Sequence, residues 1–259
     1  MILNYEDQVA LLYLKGAFGD IPKTSQIKYI IIDEAQDYTP LQYEIFYQLF
    51  ESAKMTILGD INQSINPFMN VGDYNNIYNI LKSDTCIINL TKTYRSTMEI
   101  TKFSRNILTK NTNDEYVERH GDEPNVIGFS HKNHMIEKIM EDIKYYQKKN
   151  YKSIGIITKT AKQTEDLYNM LKENNMDVKS IKRDDDEFTN GVLIIPSYLA
   201  KGLEFDVVLI YDASNKNYNC EGERLLFYTC CTRALHVLNI YYLGEITPLL
   251  KNNDISETF

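Results

Sequence analysis

Asp33 and Glu34 are adjacent carboxylates that abruptly end the apolar run Ile30-Ile31-Ile32, and they are the side chains best placed for chemistry on a charged ligand. A β-branched run of this kind, with Gln26–Lys28 before it and Pro40 after it, reads as a buried strand of a parallel sheet. Open α/β sheets bind their ligands beyond the carboxyl ends of the strands. The acidic pair therefore stands where a magnesium-bound nucleotide is handled.

The other half of such a site is a glycine loop, G-x-x-x-x-G-K-[ST], whose backbone N–H groups and lysine cradle the β- and γ-phosphates. None of the 11 glycines is followed by lysine. Residues 1–27 offer only Gly16 and Gly19, with no strand leading into them. The sequence reads as a fragment, a truncated product, or a chain that does not bind nucleotide in the usual way.

The elements that position these residues alternate between strand and helix. The pattern predicts a helix over Asp7–Lys15, a strand over Tyr29–Asp33 and a helix over Leu41–Glu51 with Thr39 as N-cap and Pro40 at its first position. A second strand, Met55–Leu58, ends at Gly59-Asp60, and a short helix follows over Asp73–Leu81. After a junction around Lys82–Thr85, Cys86–Leu90 reads as a strand and Thr97–Thr109 as a helix. Val126–Phe129 and Ile154–Thr158 are predicted strands flanking a helix over His134–Lys149, with Gln163–Glu173 helical. Val192–Ile195 and Val207–Tyr211 read as core strands, Glu223–Arg233 as a helix, and Val237–Tyr242 as the strand that closes the sheet. This alternation implies βαβ units with right-handed crossovers and a domain boundary near residue 83. The segment before that boundary holds too few strands to complete a sheet.

Composition sets bounds on function. The chain has 259 residues, 43% hydrophobic and 25% charged, as expected of one or two ordinary globular domains. Apolar runs such as Gly191–Pro196 and Val207–Tyr211 are strand-length, far short of a membrane span. No basic stretch followed by an apolar core opens the sequence, and the four cysteines (Cys86, Cys220, Cys230, Cys231) form no disulfide pattern. The expected location is the cytoplasm, with no membrane partner. A net charge of −8 argues against a surface broadly built for nucleic acid while leaving room for a local phosphate-contacting groove.

Five signals follow one another in order: Ile31-Ile32-Asp33-Glu34-Ala35-Gln36-Asp37, Leu58-Gly59-Asp60-Ile61-Asn62-Gln63-Ser64-Ile65, Leu90-Thr91-Lys92-Thr93-Tyr94-Arg95-Ser96, Lys201-Gly202-Leu203-Glu204-Phe205-Asp206, and Tyr228-Thr229-Cys230-Cys231-Thr232-Arg233-Ala234. The set resembles motifs II to VI of the UvrD/Rep-like superfamily 1 helicases across essentially the whole chain. The resemblance implies a RecA-like P-loop NTPase fold, with a parallel sheet flanked by helices. Residues 1–83 would be the C-terminal part of a first RecA-like domain lacking its P-loop, and residues 84–259 a complete second one.

It also implies roles. Asp33 would hold Mg²⁺ through its water shell and Glu34 would activate the attacking water. Gln63 resembles the γ-phosphate sensor, with Asp60 fixing its loop. Tyr94 resembles the aromatic that stacks on adenine, and Arg95 a cation that reaches the γ-phosphate. Gly202 lets the backbone approach, Glu204 resembles the residue near the ribose and γ-phosphate, and Arg233 the arginine finger. Lys201 reads equally as a surface charge. ATP and Mg²⁺ are the implied cofactors, to be bound with a missing N-terminal helicase segment. Without that segment the chain is expected to hydrolyse no ATP.

Two details resemble one branch: Asp37-Tyr38-Thr39-Pro40-Leu41-Gln42-Tyr43 after motif II, and the direct passage from Arg95-Ser96-Thr97 to Glu118-Arg119-His120-Gly121-Asp122-Glu123-Pro124 with no inserted domain. Both are similar to the helicase-IV-like HelD proteins of Gram-positive bacteria, which recycle RNA polymerase using ATP. DNA or RNA polymerase is thus the implied macromolecular partner, and a non-catalytic interaction module derived from the same fold is the alternative. Cys230 and Cys231 stand where the family carries small apolar residues, and a zinc set with Cys220 and His236 lacks ligand spacing. His120, His131 and His134 read as surface residues. Lys144–Lys149 reads as the solvated end of a helix, and Asp184–Glu187 as an exposed acidic loop.

Overall fold

A computed structural model describes residues 4–19, 26–81, 85–109, 115–116, 118–181 and 190–250. The chain divides into two compact units, residues 1–89 and 90–259. The boundary expected near residue 83 and the acidic run Asp184–Glu187 lie outside the described residues.

Unit 1 contains α1 (Tyr5–Ala17), β1 (Tyr29–Ile32), α2 (Pro40–Leu49), β2 (Lys54–Ile57) and α3 (Tyr74–Leu81). The α2 start follows the local chemistry of its sequence. Thr39 caps it in a reciprocal capping box with Gln42, and Pro40 takes the first helical position, where its missing N–H costs nothing. Strands β1 and β2 pair in parallel, with Ile30 beside Met55 and Ile32 beside Ile57. Ile30, Ile32 and Ile57 pack with Tyr43, Phe46, Val71 and Ile77 in one small core.

The opposite face departs from the expectation of a strand buried on both sides. Tyr29 is 72% exposed and Ile31 73%. A period-2 strand turns alternate residues to opposite faces, and among the described residues nothing covers this one. Parallel sheets are ordinarily covered on both faces.

Unit 2 opens with β3 (Lys92–Thr93), α4 (Met98–Arg105) and β4 (Glu115–Tyr116), the two short strands pairing in parallel. It continues through β5 (Asn125–Phe129), α5 (Lys132–Lys148), β6 (Ser153–Thr158), α6 (Ala161–Glu173), β7 (Lys179–Ser180) and β8 (Gly191–Pro196). It ends with β9 (Phe205–Ile210), α7 (Arg224–Cys231) and β10 (Ala234–Leu243). Six strands form one sheet in the order β5-β10-β9-β6-β8-β7, with every pairing parallel. The last strand therefore enters the interior of the sheet instead of closing its edge.

The sheet separates two cores whose strand residues alternate. Ile157, Leu193, Ile195, Val208, Ile210, Leu238 and Ile240 face Ile100 of α4 and Phe227 and Cys230 of α7. Ile154, Ile156, Val192, Ile194, Val207, Leu209 and Tyr241 face Ile139 and Ile143 of α5 and Leu167 and Leu171 of α6. The result is an α/β fold, a parallel sheet flanked by helices.

The expected Cys86–Leu90 strand does not form: this stretch is without regular structure, and Ile87, Ile88 and Leu90 are exposed. An apolar run becomes a strand only where a neighbour can take its backbone hydrogen bonds, which local composition does not reveal. The helix expected over Thr97–Thr109 stops at Arg105, capped at its start by the Thr97 hydroxyl.

Candidate functional site

In unit 1 the acidic residues stand beyond the carboxyl end of β1, as the strand pattern requires. Asp33 is exposed, and its Oδ1 accepts the Glu34 backbone N–H at 2.8 Å. Glu34 adopts a left-handed conformation (φ 50°, ψ 43°). A non-glycine residue there costs about 1–2 kcal/mol and persists only where its surroundings enforce it.

Those surroundings are visible. The Ala35 N–H donates to Leu58 O at 2.8 Å, tying the turn after β1 to the end of β2. Tyr43 OH donates to Ala35 O at 2.7 Å. Gln36, 0% exposed, donates through Nε2 to Glu34 Oε2 at 2.7 Å and accepts the Asp60 N–H on Oε1 at 3.0 Å. Asp60 in turn accepts from Asn62 N and from Gln63 Nε2, each at 2.9 Å. Glu34, Asp60 and Gln63 thus form one hydrogen-bonded chain through a buried glutamine. The sequence motif contains Gln36, but its bridging role depends on Asp60, 24 residues away, and is not visible in the motif itself.

Gly59 is needed at the centre of this arrangement. A Cβ there would lie 2.5 Å from both Gln36 Oε1 and Tyr74 OH and 2.9 Å from the Ala35 methyl. Burial, with Asp60, Glu34 and Asp37 nearby, pushes the Tyr74 phenol up to about 12. It stays neutral at any physiological pH. Past Gln63, the loop carries Phe68 outward, 92% exposed, with Asn66 Oδ1 accepting the N–H groups of Phe68 (3.0 Å) and Met69 (3.2 Å). A large aromatic carried into solvent on a hydrogen-bonded turn is a second such residue; its signal is its place five residues after Gln63 in an Asn/Pro-rich turn.

In unit 2 the candidate residues from three distant segments gather at the amino-terminal ends of β9 and β10. Arg95 Nε and Glu204 Oε1 form an ion pair at 2.7 Å, the side chains 38% and 42% exposed. The next residue, Phe205, donates its N–H to Arg233 O at 3.0 Å. The Ser96 hydroxyl donates to Ala234 O at 2.6 Å, a bond buried from solvent. Arg233 is 1% exposed; its Nε donates to Thr229 O at 3.0 Å and its Nη2 to Thr232 Oγ1 at 3.1 Å.

Tyr94 presents its ring to solvent. Gly202 has φ +81°, a conformation side-chain-bearing residues rarely adopt, in the turn leading to Glu204. No heavy atom lies within 4 Å of a Cβ built there, so the backbone conformation, and not crowding, demands glycine. Cys230 and Cys231 are buried and packed in the core, where burial raises both thiols, Cys230 to about 12. They fill space and remain protonated.

Segments of both units match known domains. Residues 22–85 match the UvrD/REP helicase N-terminal domain, and residues 88–188 the UvrD-like helicase C-terminal domain. The C-terminal domain of a possible DNA helicase from Lactobacillus plantarum is 35% identical with a TM-score of 0.55, the match covering 62% of this chain and 95% of that one. The chain belongs to the UvrD/Rep-like helicase family.

This UvrD/Rep-like chain is also similar to a putative ATP-dependent DNA helicase of Acanthamoeba polyphaga mimivirus, 28% identical over 84% of this chain and 34% of that protein. The ATP-dependent DNA helicase Rep of Escherichia coli is 27% identical over 69% of this chain and 28% of its own length. The chain therefore spans about a third of the length of these curated relatives. Such family membership carries the RecA-like fold with it, and both units hold the matching motifs.

Proposed function

We propose that this chain is a motor segment of an ATP-dependent superfamily 1 DNA helicase or translocase. The hydrogen-bonded chain Glu34–Gln36–Asp60–Gln63 carries the reading, because it holds a strained carboxylate in register with a second polar loop. Bound Mg²⁺-ATP supplies the γ-phosphoryl group and the charge that in-line attack by water must overcome.

The chain's own residues divide the work. Asp33, an exposed hard oxygen donor after β1, suits a Mg²⁺ that keeps most of its waters. Glu34 orients the attacking water and takes its proton, with Gln36 fixing its carboxylate. Gln63 senses the γ-phosphate from a loop that Asp60 fastens. The exposed Tyr94 ring offers a face for adenine and Arg95 neutralises phosphate charge, whereas Arg233, 1% exposed, would have to leave its Thr229 and Thr232 partners to do the same. Glu204 holds Arg95 at Nε and sets the plane of its guanidinium.

DNA is favoured over RNA polymerase as the macromolecular substrate, since the relatives are named as DNA helicases. The exposed Phe68 ring, on a turn held at its backbone, suits stacking on an unpaired base. The HelD-like recycling of polymerase is the narrower alternative. We take residues 1–83 as part of a first RecA-like domain, completed by a segment that covers the bare face of Tyr29 and Ile31 and brings a phosphate loop. Alone, the chain has no lysine to hold the β- and γ-phosphates and turns over no ATP. A steady-state ATPase assay on residues 1–259 tests this, with Glu34→Gln as control. Hydrolysis in the parent that disappears in the variant refutes the incompleteness.

A further inference from the structure

We infer that Arg119 is the positioning residue for Arg95, a role that rests on reading Arg95 as a phosphate contact. Arg119 lies in the irregular segment before β5, 24 residues from Arg95. Its Nη1 donates to Arg95 O at 2.7 Å. Its Nη2 lies 3.0 Å from Nδ1 and 3.3 Å from Nε2 of His236, on β10. One guanidinium thus spans from the Arg95 turn to the sheet.

The sheet end of this bridge is anchored. The His236 ring lies 5.9 Å from that of Tyr151, and its Nε2 is 4.0 Å from an Asp206 oxygen. Asp206 is itself held, accepting the Lys152 and Ser153 N–H groups at 2.7 and 3.0 Å. The support therefore reaches from β10 through β9 to the start of β6.

The residues around Arg119 grip the same turn. Met98 donates its N–H to Arg119 O at 2.8 Å. The Glu99 carboxylate accepts the Gly121 N–H and contacts His120 Nδ1, both at 2.8 Å. Gly121 sits so close that a Cβ there would come within 2.5 Å of Thr97 Cγ2. From the other side, Ser96 is fastened to Ala234. Once the Arg95 backbone is clamped, Glu204 at Nε settles the direction of its guanidinium. An arginine suits the task because its planar fork reaches two partners at fixed separation, whereas a lysine is a single point of charge.

The test is the Arg95 Nε–H resonance in ¹⁵N–¹H spectra of the 259-residue chain, identified by its loss in Arg95→Lys. In the parent chain this proton, paired with Glu204, exchanges slowly with water. Arg119→Ala is expected to speed its exchange about 10-fold, the scale of losing one hydrogen bond from a charged donor. Backbone resonances of β6 and β8 stay in place, which a merely structural defect would not allow. Arg119→Lys, which keeps the donor to Arg95 O and loses the arm toward His236, gives an intermediate rate. If Arg119→Ala fails to fold, His236→Ala releases only that arm and gives the same intermediate rate. Unchanged Arg95 exchange in the folded variants overturns the proposal, as does exchange that rises equally throughout unit 2. No nucleotide enters this measurement, so failure of the ATP reading and failure of the Arg119 role are separately visible.

Discussion

Gln36→Ala removes the bridge on which the unit 1 site depends. It deletes a bond to an ionised carboxylate at 2.7 Å and leaves the Asp60 N–H without the acceptor it had at 3.0 Å. The charge-assisted bond is worth about 1.5–3 kcal/mol and the neutral one about 0.5–1.5. Because Gln36 is fully buried, water does not simply replace it, and the expected loss is about 2–4 kcal/mol. At about 1.4 kcal/mol per decade, local opening becomes roughly 30- to 1,000-fold more frequent.

Hydrogen exchange at the amides of Ala35 and Leu58 reads this directly, since both span the two strands: Ala35 N–H to Leu58 O and Leu58 N–H to Ile32 O. Amides of β6 and β8 in unit 2 serve as the internal reference. A companion variant gives the sign by chemistry. Gln36→Glu sets a second carboxylate against Glu34 at neutral pH, and like charges this close repel. As pH falls and one acid protonates, it again donates to its neighbour, so protection recovers in acid. Protection at Ala35 and Leu58 within about threefold of the parent in Gln36→Ala refutes the bridging role.

Further outcomes follow from packing and charge. Gly59→Ala drives a methyl into Gln36 and Tyr74 and is expected to cost about 1–3 kcal/mol, seen as a lower urea midpoint for unit 1. Tyr241→Phe removes the hydroxyl that donates to Asp142 Oδ2 at 2.6 Å beneath α5, costing about 1–3 kcal/mol. Calorimetry is expected to show the unit 2 transition falling by about 2–4 °C per kcal/mol. The Arg224 hydrogen bond holds the Glu221 carboxyl below its ordinary value of 4.5. Its stabilising effect is therefore present above that value and lost as pH falls through the lowered one. Arg224→Ala should return the Glu221 midpoint, followed by NMR titration, to the ordinary carboxylate range; an unmoved midpoint contradicts the assignment.

Features that depend on neighbouring residues were legible in the sequence. The Ile30–Ile32 run, the Thr39-Pro40 start of α2 and the strand–helix alternation of unit 2 all form as read, because periodicity and capping are local. The bare face of Tyr29 and Ile31 was not legible, because burial depends on what packs above a strand and not on the strand itself. Cys86–Leu90 failed for a related reason: it has strand composition but forms no ladder. Of the candidate site, the motif resemblance assigns Arg95 and Glu204 separately to the nucleotide, and their ion pair across 109 positions (204 − 95) is visible only in the structure. Gln36 and Arg119 escaped because their partners, Asp60 and His236, lie 24 and 117 residues away.

The most direct test joins residues 1–259 to an upstream segment bearing a Gly-Lys-Thr phosphate loop and measures DNA-stimulated ATP hydrolysis. Turnover is expected to fall about 10²–10⁴-fold in Glu34→Gln, the scale of losing a general base. Replacing Arg95 or Arg233 with alanine is expected to cost up to about 10³–10⁵-fold. Equal turnover in the parent and Glu34→Gln would show that the acidic turn after β1 does not activate water, and the motor reading would fall with it.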